Sequence, residues 1–110
     1  TVDAVEMFEI DMSFHAGLAR AAHNPSLADI HSTFLSRLWR SRFLSAIQRR
    51  NRERVVDHHS QIVAALRARD TDAIRTALGA HLDRLAPDII NVITQEIEQA
   101  SATADRKDDL

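Results

Sequence analysis

Four side chains in this sequence have the types and spacing to share a metal ion. Asp11 and His15 stand four residues apart, which stacks them one turn apart on the same face of a helix. They interrupt an apolar series at helical spacing, Phe8, Leu18 and Ala22. His59 falls within a second such stripe, Val55, His59, Ile62 and Leu66, and His81 within a third, Ile74, Leu78, His81 and Leu85. Three helical segments therefore each turn a titratable group toward a core. An inward carboxylate without a counter-charge is costly. One divalent cation held by a carboxylate and three neutral imidazoles accommodates all four placements, and would clamp three helices together. Such a donor set suits zinc first, and also nickel, iron, cobalt or manganese.

Each placement taken singly has an ordinary structural explanation. An Asp-x-x-x-His pair on a helix is most often a surface hydrogen bond, and a lone inward histidine a satisfied core residue. The conjunction on three segments is what points to a metal. His58 adjoins His59 but lies about 100° around the helix, so it is expected to be exposed or to support the ligands from beside the metal. His23 suits a helix end, where the dipole favours a cation. His31 sits near an apolar stripe with no partner at helical spacing.

The elements that position these groups follow from periodicity. The chain has 110 residues, 45% of them hydrophobic and 27% charged, which suits one globular domain. Only two glycines and two prolines occur and tyrosine is absent, so a turn-rich β-sandwich or barrel is excluded. A first helix is predicted over about residues 2–22, ending at His23-Asn24-Pro25 with Asn24 as a C-terminal cap. Ser26 would cap a second, about residues 27–49, carrying Leu27, Ile30, Phe34, Leu38 and Leu44 or Ser45 along one side. A break at Arg49-Arg50-Asn51 leads to a third, about residues 53–69. Asp70-Thr71-Asp72 offers cap chemistry for a fourth, and Pro87 either kinks that helix or begins a fifth. The expected architecture is all-α: an antiparallel bundle of four to five helices over residues 1–100, followed by a polar tail, 101–110, that frays.

Composition removes several functions. Without cysteine there are no disulfides, thiolate zinc sites or cysteine nucleophiles. No Glu-x-x-His pair supports a di-iron carboxylate centre, and neither His-Glu-x-x-His nor Gly-x-Ser-x-Gly occurs. No apolar run approaches the roughly 18 residues that span a membrane. The formal charge of −2 is no footprint for nucleic acid. Between Arg37 and Arg54, however, seven arginines face one acid, Glu53, a local excess of +6. Arg37 is the arginine expected to turn inward, because Ile30, Phe34, Arg37, Ser41 and Leu44 line one side of the second helix, and Arg40 is the next candidate. A guanidinium fork suits a carboxylate. Asp88 lies two turns beyond His81 on the same side if Pro87 only kinks its helix, with Asn91 and Gln95 near that line.

The motif blocks resemble a known family. Asp11-Met-Ser-Phe-His15, then Leu18-Ala19 and Ala22-His23-Asn24-Pro25, are similar to the Asp-x-x-Phe-His…Leu-Ala…Asn signature of the FCD domain, the C-terminal effector-binding domain of FadR-type GntR-family bacterial transcription regulators. His59-x-x-Ile62, Ala65-Leu66, Arg69-Asp70, Ala73 and His81-Leu82 resemble its later block in order and spacing. The resemblance implies a helical bundle with a central metal and ligand cavity, a homodimer, and a cytoplasmic regulator. It implies a metal held by Asp11, His15, His59 and His81, the set that the stripes select. It also implies a small organic acid effector, for which Arg37, Arg40 and Asn91 are the expected contacts, with His58, Asp88 and Gln95 behind them. DNA would be bound only through a separate N-terminal winged helix-turn-helix, and the start at Thr1 points to a processed piece of a longer protein. Two other readings share this donor set: a dimerisation domain with a purely structural metal, and a metal-dependent hydrolase. No general base for the latter stands at a definite position.

Overall fold

The computed structural model describes residues 3–108, apart from the side chains of 49–51. Among these residues there are five helices and no strand, so the fold is all-α: α1 (Ala4–Ala21), α2 (Pro25–Arg37), α3 (Trp39–Ala46), α4 (Arg49–Arg67) and α5 (Thr71–Asp108). They form two compact units, Thr1–Ile47 and Gln48–Leu110.

In the first unit, α1 starts where the Asp3 carboxylate accepts the Glu6 backbone N–H at 2.9 Å. It ends with His23 in the left-handed region, φ 57°, its N–H bonded to the Arg20 carbonyl at 3.2 Å. Asn24 has the opposite role from the one expected: its side chain accepts the Leu27 N–H and caps the start of α2. Pro25 is the first residue of α2 rather than a terminator, since a missing N–H costs nothing at that position. Ser26 consequently lies inside the helix.

The single helix expected over residues 27–49 is divided at Leu38 (φ −95°, ψ 7°), where α2 gives way to α3. Two influences act there. Thr33 and Ser36 donate their hydroxyls to the carbonyls four residues earlier, a bond that bends helices. Beyond the break, Trp39 and Phe43 stack at 5.3 Å and both meet the edge of Phe8 on α1, at 5.3 and 5.4 Å. Phe8 is 2% exposed and is the centre of this unit's core. The aromatic clasp sets the direction of α3.

The second unit is a hairpin of α4 and α5. Arg69 adopts φ 53°, its N–H bonds the Leu66 carbonyl, and the next N–H, of Asp70, bonds the Ala65 carbonyl. These paired bonds close α4 as a Schellman turn. Asp70 then caps α5 by accepting the Ala73 N–H, as its sequence suggests. Ile62, Ala65 and Val92 are the buried apolar residues between the two helices. Pro87 lies within α5, which continues through it, and the helix also runs on to Asp108 where a fraying tail is expected from residue 101. Exposed helix-forming residues and the terminal Arg106 and Lys107, favourable at the negative end of the dipole, account for that extension. Residues 109 and 110 of the expected tail, like Val2 of the expected first helix, lie outside the described residues. No described helix is long and apolar enough to cross a membrane.

Candidate functional site

Each unit carries its own pair of metal-type donors. On α1, one helical turn brings the Asp11 carboxylate and the His15 imidazole together, Oδ1 to Nε2 at 3.2 Å. Their side chains are 11% and 7% exposed, so this is no surface hydrogen bond. The pair is a consequence of i,i+4 spacing on a regular helix and needs no tertiary help.

In the second unit, His59 comes from the middle of α4 and His81 from the facing turn of α5. Their rings meet edge to face with centroids 4.9 Å apart, and a ligating nitrogen of each lies within 4.8 Å of the other's. His81 is 2% exposed and His59 half-buried. Packing of α4 on α5, with Ile62 fully buried one turn from His59, turns both imidazoles to the same side.

His58 is also engaged. Its Nδ1 lies 3.1 Å from His81 Nδ1, so it supports the ring of one expected ligand from the other side of α4's inner face. Asp88 pairs with Arg54, Oδ2 to Nη2 at 2.8 Å, with both side chains about one-fifth exposed. Asn91 and Gln95 are exposed on α5. Arg37 and Arg40 are exposed as well. The expected inward line through Arg37 supposes one continuous helix, and the break at Leu38 ends that line after Arg37.

Among the described residues the buried arginine is Arg42, 8% exposed, and Ser45, three residues on, is 3% exposed. Leu38, Arg42 and Ser45 follow one another at helical spacing, so the signal for Arg42 stood in the sequence beside the stronger one for Arg37. Burial pushes the Arg42 pKa down, and the nearby Asp11 carboxylate opposes that shift. His31, on α2, is held below its ordinary pKa by burial first, then by His15 and Arg42. Asp11, His15, His31 and Arg42 thus form one electrostatic cluster within the first unit. An open groove of about 290 Å³ on the same unit is lined by Met12, Ala16, Leu35 and Trp39 with Ser13, Ser32 and Ser36, and carries no charged side chain.

The model of the FCD domain matches residues 1–84, about three-quarters of the chain. The chain belongs to the FCD domain family. The match takes in Asp11, His15, His59 and His81 and stops within α5. No curated protein and no solved structure was found to match the chain. FCD domains are regulatory domains of transcription factors, and membership of the family suggests a ligand-sensing role for this chain.

Proposed function

We propose that this FCD domain senses a small organic acid through a divalent metal held by Asp11, His15, His59 and His81, and passes the signal to a DNA-binding domain elsewhere in the regulator. The observation that carries the reading is the pairing of donors within each unit: a buried carboxylate–imidazole pair on α1 and two converging imidazoles on the α4–α5 hairpin. One carboxylate and three imidazoles are borderline donors that suit zinc, with nickel, iron, cobalt and manganese also served by the set. When bound, the metal supplies a Lewis-acid position at which a carboxylate or hydroxyl oxygen of the effector can bind.

The chain's own residues supply the remainder. His58 holds the His81 ring through Nδ1, which directs the other nitrogen, Nε2, to ligation. Arg54 and Asp88 fasten α4 to α5 on the same hairpin. Arg37, Arg40 and Asn91, exposed as they are, would meet an incoming acid from the solvent side. Effector binding shifts the domain between two packings, and a homodimer presents that change to DNA through its partner domains.

The test is elemental analysis of the purified protein together with thermal melting before and after chelation. About one metal per chain is expected, with a fall in Tm on its removal. His59→Ala is expected to lower both metal content and Tm. A metal-free wild type whose Tm ignores added zinc would refute the reading.

A further inference from the structure

One buried cation in the first unit has no part in the scheme above. Arg42 is 8% exposed, and its Nε and Nη2 atoms are buried with no hydrogen-bond partner among the described residues. A guanidinium stripped of water without replacement bonds is destabilising unless something supplies them. The two atoms concerned are informative. Nε and Nη2 form one edge of the planar guanidinium, and their N–H bonds run parallel. That edge matches the two oxygens of a single carboxylate.

The surroundings agree. Asp11 on α1 and His31 on α2 are the titratable groups that interact with Arg42 from the neighbouring helices. Asp11 is also one of the proposed metal ligands. An acid seated on Arg42 would therefore share the surroundings of Asp11.

We propose that Arg42 is the carboxylate receptor of this domain, taking both oxygens of a small acid on its Nε–Nη2 edge. This rests on the acid-sensing reading and deepens it. The site selects a planar anion with two acceptor oxygens, and a neutral amide of the same shape is rejected because its NH₂ meets a donor.

The experiment is thermal melting of the whole chain with acetate, malonate and citrate as probes and acetamide and malonamide as uncharged controls, with zinc and after chelation. Zinc content is measured in parallel. The wild type is expected to gain Tm with at least one acid and with neither amide. Arg42→Met should weaken that acid about tenfold or more, the loss expected for a charge-assisted hydrogen bond, and Arg42→Lys should retain only part of the response. Without acid, Arg42→Met should melt no lower than wild type, because methionine fills the space without a buried charge. An undiminished acid response in Arg42→Met overturns the proposal. So does acid-free Arg42→Met melting well below wild type, which marks a structural arginine. A wild type that holds zinc but responds to no acid overturns Arg42 as receptor and spares the metal. An acid response that needs Arg42 but not zinc keeps the receptor and refutes the metal.

Discussion

His58 and His81 approach through their Nδ1 atoms, 3.1 Å apart across the α4–α5 hairpin. Two Nδ1 atoms at that distance require one ring to donate and the other to accept, so each ring fixes the tautomer of its neighbour. His58→Ala leaves the buried His81 without this bond, at a cost of about 1–3 kcal/mol. Zinc affinity is expected to fall about 10- to 100-fold, as it does when a support behind a metal ligand is lost. Denaturant melts and a zinc competition titration read the two effects. Wild-type values for both in His58→Ala would show the contact to be idle.

His31 gives the stability of the metal-free protein a pH dependence. Its folded-state pKa lies below 6.5, chiefly through burial and then through His15 and Arg42. Between 6.5 and that lower value the unfolded chain binds a proton that the folded chain does not. Stability is therefore lost as pH falls below about 6.5, and the loss stops once the folded state is protonated too. Chelated wild type and His31→Asn, melted from pH 7.5 to about 5, should diverge in that window, with the variant the flatter. Parallel curves would exclude this histidine as the source.

Arg54 and Asp88 form a partly buried ion pair 34 residues apart in sequence. A pair that is about one-fifth exposed on each side chain contributes about 1 kcal/mol. A double-mutant cycle of Arg54→Met and Asp88→Asn should return a coupling of that size by urea denaturation. Additive single effects would mean that the pair holds nothing together.

Arg69 occupies the left-handed position that closes α4, at φ 53°. A Cβ there costs about 1–2 kcal/mol, and glycine gives back part of the gain in unfolded-chain entropy. Arg69→Gly is expected to stabilise the hairpin by a net of about 0.5–1 kcal/mol. Arg69→Ala, which keeps the Cβ, should not. Equal Tm values for the two variants would show that the turn carries no such strain.

The sequence by itself determined whatever depends on one helix. Asp11 and His15 had to meet, because four residues of α-helix bring any two side chains to the same face. Asp70 had to cap α5, because its carboxylate reaches the N–H three residues on. His59 and His81 could be assigned inward faces, each from its own apolar stripe.

Only tertiary packing decided the rest, for a reason that periodicity cannot contain. The repeat of 3.6 residues carries the phase of one helix and loses it at a break. Phe8, packed edge to face against the stacked Trp39 and Phe43, settled where α2 ends and α3 begins, and that shift put Arg42 inside where an uninterrupted helix favoured Arg37. His58 looks turned away along α4, yet α5 brings His81 to it. Asn24 had two helix ends within reach, and the left-handed turn at His23 settled which one it caps. In each case the deciding partner belongs to another element, and the spacing within a helix holds no record of it.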